Sequence, residues 1–197
     1  MKLHSVKLVS RVYRPEEIPT RGFQEISFVG RSNVGKSSAL NNLLGRKALS
    51  PVSKSPGRTR EILYFLVNEA FYFVDLPGYG YAHRSRKERE KWLQLMRAYL
   101  ARKENPKGIV HILDIRHDPS ALDLEMISWL SESARPTLFL LTKSDKLSSG
   151  KVAARVRRIA RELGQSDEDN LISFSAKTGA GKREVWGAIS ELLGRKG

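Results

Sequence analysis

The sequence contains no cysteine. That one absence excludes disulfides, thiol nucleophiles and thiolate metal sites together, and it fits the cytoplasm. No stretch approaches the roughly 18 consecutive apolar residues that a spanning helix requires, so membrane insertion is not expected. The amino-terminal run MKLHSVKLVSRVYRPEEIP lacks an uninterrupted apolar segment, because Lys7 and Arg11 break it, and a secretory leader is therefore not expected. Acid is scarce relative to base: 21 Asp and Glu face 35 Lys and Arg, a net charge of +14. Such a surplus attracts polyanions, nucleic acid first and anionic membrane second, without saying which. The histidines (His4, His83, His111, His117) are scattered, with no H-E-x-x-H pair, which argues against a zinc centre.

With 197 residues, 40% of them hydrophobic, the chain is long enough for one domain with a sizeable core. Apolar runs of strand length alternate with longer helical patterns. Strands are predicted at 25–29, 62–67, 71–74, 108–113, 137–141 and 170–174, and helices from near Gly35, Arg86, Leu122, Ser148 and Gly181. This order predicts a three-layer α/β fold: a mostly parallel sheet of six or seven strands with helices on both faces. The short link Asn68-Glu69-Ala70 suits a hairpin and adds one antiparallel edge strand. Val152, Val156, Ile159 and Leu163 mark a buried helical stripe, as do Val185, Ile189 and Leu192 or Leu193. Residues 1–22 read as an amino-terminal extension whose order the sequence leaves open, and 23–197 as the domain. Residues 46–60 carry Pro51 and Pro56, few large apolar residues and no acid, the composition of a long functional loop.

The strongest chemical signal follows the first predicted core strand. Gly30-Arg31-Ser32-Asn33-Val34-Gly35-Lys36-Ser37 satisfies G-x-x-x-x-G-K-[ST] between a strand and a helix. The glycines let successive N–H groups point inward as a nest for the β-phosphate, and the helix start aims its positive end there. Lys36 would reach the β- and γ-phosphates, and the Ser37 hydroxyl would ligate Mg²⁺. The pattern arises by chance in roughly one chain of this length per hundred, and its strand–helix setting favours a nucleotide triphosphate site over a plain glycine-rich turn. After the strand at 71–74 comes Asp75-Leu76-Pro77-Gly78, a D-x-x-G element: Asp75 could hold Mg²⁺ through a water and the Gly78 amide could meet the γ-phosphate. Thr142-Lys143-Ser144-Asp145 is a [NT]-K-x-D element. A carboxylate at Asp145 would accept both N1–H and N2–H of guanine, donors that adenine lacks. The Lys143 stem can cover the base plane while its ammonium stays in solvent. Ser175-Ala176-Lys177 offers backbone for guanine O6. Each short element alone is an ordinary strand-end loop as often as not. Together, in this order and on the rim where open α/β sheets bind ligands, they point to GTP.

These motifs resemble the translation-factor-like branch of P-loop GTPases, over about 23–193, and in finer detail the EngB (YihA or YsxC) family, within the TrmE-Era-EngA-EngB-septin-like superfamily. The details are Gly30-Arg31-Ser32-Asn33, Ser55-Pro56-Gly57-Arg58-Thr59, Asp75-Leu76-Pro77-Gly78-Tyr79-Gly80-Tyr81, Asp114-Ile115-Arg116-His117 and Leu141-Thr142-Lys143-Ser144-Asp145-Lys146-Leu147. The resemblance implies binding and hydrolysis of GTP to GDP with Mg²⁺, tied to assembly of the large (50S) ribosomal subunit and linked to cell division and septation. It makes Thr59 the switch threonine, a third Mg²⁺ ligand beside Ser37 and Asp75, with Lys36, Thr59, Gly78 and Asn33 as the catalytic set. It extends the nucleotide contacts to Ser38, Gly57, Arg58, Arg60, Glu61 and Phe174. It also implies that Asn33 helps hold a K⁺ ion. Tyr79 stands where many signalling GTPases carry a water-orienting glutamine, so slow intrinsic turnover is expected. An alternative is an RNA-binding or protein-partner switch in which GTP is a conformational ligand with negligible turnover.

Two clusters read as contacts for ribosomal RNA: Arg46, Lys47, Lys54, Arg58 and Arg60 in the long loop, and Lys151, Arg155, Arg157, Arg158 and Arg161. Arg84, Arg86, Lys87, Arg89 and Lys91 alternate with Glu88 and Glu90 and read as a solvated helix start. His111 is expected as a satisfied core histidine, His83 near the second switch, and Trp92, Trp129 and Trp186 as packing residues. A monomer is expected.

Overall fold

The structure, a computed structural model, describes residues 3–20, 22–46, 61–80, 85–102, 104, 106–165 and 168–195. The predicted strands form at β2 (Glu25–Gly30), β3 (Ile62–Val67), β4 (Phe71–Asp75), β5 (Gly108–Asp114), β6 (Thr137–Thr142) and β7 (Leu171–Ser173). The helices are α1 (Lys36–Leu43), α2 (Arg86–Leu100), α3 (Ala121–Ser131), α4 (Ser149–Glu162) and α5 (Lys182–Leu192). Ser85 and Ser120 start α2 and α3 by accepting the Glu88 and Asp123 amides, each at 3.3 Å, and Glu88 and Asp123 return the bond.

A further strand, β1 (Val6–Val12), was not among those expected, and it brings part of the amino-terminal extension into the sheet. The sheet has seven strands in the order β1-β3-β4-β2-β5-β6-β7. β3 runs antiparallel to both neighbours, and the remaining pairs are parallel. The antiparallel strand is thus present, with β1 covering its outer edge. The β1 pairing slips between Leu8 and Ser10. One inserted residue changes which face every later side chain meets. Val6 and Leu8 accordingly pack on one face of the sheet and Val12 on the other.

Alternation along the strands sorts the core into two layers. Ile26, Phe28, Phe73, Val110 and Leu140 pack with Leu40 of α1 and Val185, Trp186 and Ile189 of α5. On the opposite face Val29, Val74 and Ile109 meet Leu95, Met96 and Tyr99 of α2 and Met126 of α3. Phe139 and Leu141 meet Val156 and Ile159 of α4, with Val152 and Leu163 packed at the margin of that cluster. Both expected helical stripes are therefore buried. Among the described residues, no helix is long and apolar enough to cross a membrane.

Candidate functional site

The carboxyl ends of β2, β4, β5, β6 and β7 share one rim, and β2 lies between β4 and β5, where the connections diverge to either side. That crevice is where an open α/β sheet binds its ligand. The loop from Gly30 to Gly35 leaves β2 and enters α1 through a left-handed Gly35 (φ 101°), with Asn33 also left-handed (φ 68°). A side chain at Gly35 would be strained by this φ alone. Val34 is buried and plugs the loop into the core, and its carbonyl accepts from the Thr142 hydroxyl, which also lies 3.0 Å from Leu113 O. The last residue of β6 is thereby attached to the loop after β2.

Lys36 and Asp75 are 9% and 1% exposed, and the ammonium forms an ion pair with Asp75 Oδ1. The lysine of one motif and the acid of the next thus stand side by side. A buried carboxylate that already takes a cation, with the Ser37 hydroxyl in the adjoining helical turn, is an all-oxygen donor set that suits Mg²⁺. Gly78 is held against the phosphate loop: a Cβ there would stand 3.2 Å from Gly30 O. The Ser32 amide donates to Tyr79 O at 3.0 Å, joining the D-x-x-G segment to that loop directly. Leu76 N donates to Phe28 O at 3.0 Å, and the Trp92 indole donates to Pro77 O at 3.2 Å.

On the far side of the rim Lys143 adopts a left-handed conformation (φ 63°) and opens the short turn Ser144–Lys146. Its ammonium, expected in solvent, instead donates to Asn33 O and pairs with Asp114 Oδ2, both at 2.8 Å. Lys143 therefore bridges the base loop and the phosphate loop, because two acceptors lie within reach of its stem. Arg116 holds Asp114 in two places, at 2.9 and 2.8 Å. Burial opposes ionisation of Asp114, but the hydrogen bonds from Arg116 and Lys143 outweigh it and hold the carboxyl well below the ordinary carboxylate range. Asp145 Oδ1 accepts from the buried Ser175 hydroxyl at 2.8 Å, and Ser175 Oγ in turn accepts the Lys177 and Thr178 amides at 3.2 and 3.1 Å. Ser144 N donates to Phe174 O at 3.1 Å, and Asn42 of α1 donates to Ala176 O at 2.9 Å. The loops after β2, β6 and β7 are thus joined by direct bonds along one stretch of the rim.

Of the residues singled out in sequence, Gly57, Arg58, Thr59 and Arg60 lie outside the described residues, as do His83, Lys47 and Lys54. Glu61 stands at the entry to β3 and pairs with Arg11 of β1 at 2.9 Å. Ser38 is exposed at the start of α1. The second basic cluster is partly neutralised by acids from outside its own run. Arg155 and Arg158 both pair with Asp118, and Arg158 also with Glu162 at 3.1 Å, while among the described residues Lys151, Arg157 and Arg161 have no ion-pair partner. Arg86 pairs with Glu90 at 3.1 Å, in keeping with a solvated helix start. Trp186 stacks on Phe73 at 5.3 Å, and Trp92 and Trp129 meet at 6.3 Å beside a cleft of about 570 Å³ between α2 and α3. Asn42 carries no motif in the sequence, and Asp114 stands there only within Asp114-Ile115-Arg116-His117, with no role in the site assigned to it.

A family model described as 50S ribosome-binding GTPase matches residues 25–143. A Lactiplantibacillus plantarum protein named probable GTP-binding protein EngB is 44% identical over 94% of each chain. The protein of that name from Bacillus subtilis is 40% identical over 99% of this chain and 100% of its own. Among solved structures, a probable GTP-binding protein engB matches with a TM-score of 0.72 at 25% identity, over 86% of this chain and 98% of that one. Aquifex aeolicus Era bound to GDP.AlF4- matches with a TM-score of 0.72 at 26% identity, over 90% of this chain and 58% of its own.

Proposed function

The chain belongs to the EngB family of GTP-binding GTPases, and from that premise we propose that it is a nucleotide-gated factor in large (50S) ribosomal subunit assembly, linked to normal cell division and septation. In this role it acts as a cytoplasmic monomer. The amides from Gly30 to Gly35 cradle the β-phosphate, and Lys36 reaches the β- and γ-phosphates. Gly78 meets the γ-phosphate through its amide. Asp145 selects guanine by accepting N1–H and N2–H, Lys143 covers the base, and the Ser175-Ala176-Lys177 backbone reads O6. Ser37, Thr59 and Asp75 hold Mg²⁺, which when bound neutralises charge building on the phosphate oxygens. Hydrolysis is in-line attack of water, with positioning and charge doing what covalent chemistry does elsewhere. Asn33, exposed on the phosphate loop with no side-chain partner among the described residues, helps hold K⁺.

The observation that carries the nucleotide reading is the set of direct bonds among the four rim loops after β2, β4, β6 and β7, from Ser32 to Tyr79, Lys143 to Asn33 and Ser175 to Asp145. The ribosomal partner draws support from the +14 charge and from the family model's description. Co-sedimentation with large ribosomal subunits, in GDP and in a non-hydrolysable GTP analogue across a salt series, tests it. Binding that is stronger with the analogue and survives physiological salt is expected. Binding indifferent to nucleotide and lost with salt would leave the guanine site standing and remove the assembly role. A second reading, GTP as a conformational ligand with negligible turnover, is favoured by the inward-facing Tyr79 hydroxyl. Turnover that stays near zero with ribosomal particles present would select it.

A further inference from the structure

The residue after Gly78 is held at both ends. Its main chain belongs to the phosphate loop: Tyr79 O accepts the Ser32 amide at 3.0 Å, and Arg31 and Tyr79 form an isolated parallel bridge. Its side chain turns away from that loop, is 5% exposed, and places its hydroxyl 2.7 Å from both Asp123 Oδ1 on α3 and His111 Nε2 on β5. Asp123 Oδ2 accepts the amide and hydroxyl of Ser120 at 2.8 and 2.6 Å, which ties it to the start of α3, and stands 3.7 Å from Arg31 Nε. A carboxylate in that position is an acceptor, so the Tyr79 O–H donates to it. The phenol oxygen then accepts, and the donor is His111 Nε2–H. His111 is thereby fixed as the neutral Nε2–H tautomer with a bare Nδ1, which has no partner among the described residues. The chain of donors runs one way, from β5 through Tyr79 to α3.

We propose that His111, Tyr79 and Asp123 form a clamp that sets where the Gly78 amide stands relative to the phosphate loop, which makes Asp123 and His111 positioning residues for GTP hydrolysis. The clamp rests on the reading of Gly78 as the γ-phosphate contact. Gly78 precedes the clamped residue directly and already lies so close to Gly30 O that a Cβ would stand 3.2 Å away. A shift of the Tyr79 ring therefore moves the Gly78 amide with little freedom to absorb the change. Because its hydroxyl is engaged in the interior, Tyr79 takes no part in orienting the attacking water.

Single-turnover GTP hydrolysis, KM for GTP and affinity for GDP, measured on Tyr79→Phe, Asp123→Asn, His111→Leu and His111→Gln, test the clamp. Misplacement on the ångström scale lowers the rate by roughly ten- to a hundred-fold. That loss is expected in kcat for Tyr79→Phe, Asp123→Asn and His111→Leu, with GDP affinity within about twofold, since GDP has no γ-phosphate for Gly78 to meet. His111→Gln, which retains an N–H at the same reach, is expected to recover most of the rate lost in His111→Leu. Combining Tyr79→Phe with Asp123→Asn is expected to cost no more than Tyr79→Phe alone, as for residues acting through one another. Unchanged kcat with only a lower Tm, or GDP affinity falling in step with kcat, would overturn the clamp and leave a packing network. Gly78→Ala separates the premise: normal hydrolysis there would remove the γ-phosphate reading itself, whereas its failure alongside normal Tyr79→Phe would sink the clamp alone. Should Tyr79→Phe fail to fold, the isosteric Asp123→Asn decides the matter by the same split.

Discussion

Replacing Ser175 with alanine is expected to weaken GTP and GDP equally and to leave the hydrolysis rate of bound GTP unchanged. The Ser175 hydroxyl is fully buried, donates to Asp145 Oδ1 at 2.8 Å and accepts two amides of its own turn. It is therefore the group that aims the Asp145 carboxylate, which we propose reads guanine. A hydrogen bond to a charged group contributes about 1.5–3 kcal/mol. Water can replace part of it, because Lys177 and Thr178 are exposed, so roughly 1–2 kcal/mol is expected to reach nucleotide binding, which corresponds to about a 5- to 30-fold loss. The proposed guanine contacts would be the same before and after hydrolysis, so the expected loss is uniform binding: KM rises and kcat stays. Titration with a fluorescent GDP, competed by GTP, gives both affinities, and single-turnover hydrolysis gives the rate. A loss confined to GTP, or a fall in rate of more than about threefold, would show that Ser175 acts at the phosphate end. Unchanged affinities would show that Asp145 is aimed by something else.

Three further outcomes follow from the same geometry. Gly181→Ala drives a Cβ into Ser173 O at a φ of +79°, so the left-handed strain and the overlap together cost about 2–4 kcal/mol; urea unfolding within about 1 kcal/mol of the parent chain would refute it. Burial pushes the His111 pKa down to about 4. Only the unfolded chain takes up this proton between its ordinary value of about 6.5 and that figure, so stability is full near neutrality and falls as pH drops through this window, by about 2 kcal/mol between pH 7 and pH 5. Denaturant melts at both pH values should show a shallower slope for His111→Gln, and equal slopes would contradict the assignment. Turnover should rise in KCl over NaCl if Asn33 helps hold K⁺, and equal rates would remove that ion from the site.

Much of the fold is legible because both layers of the core bury apolar runs whose lengths and periods differ between strand and helix. The phosphate loop is legible for a chemical reason: amides can converge on a phosphate only where glycine permits the turn. β1 escapes because a register slip between Leu8 and Ser10 breaks its alternation and leaves Val9 46% exposed, and because its partner β3 is distant in sequence. The rest is lost wherever a partner comes from another element. Nothing near Lys143 announces Asp114 as the acceptor for its ammonium, and nothing near Arg155 announces Asp118. The position after Gly78 identifies Tyr79 as different from glutamine, while the direction of its ring is decided by His111 and Asp123, each more than thirty positions away.

Comparison of GTP, GDP and ATP affinities in the parent chain and in Asp145→Ala tests most directly that this rim is a guanine nucleotide site. A site built to hydrogen-bond a ligand N–H rejects an analogue lacking it by on the order of ten-thousand-fold. GTP and GDP are expected to bind far more tightly than ATP, with that gap collapsing in Asp145→Ala while the fold is retained. ATP bound within about tenfold of GTP, or a gap that survives the loss of the Asp145 carboxylate, would contradict the account.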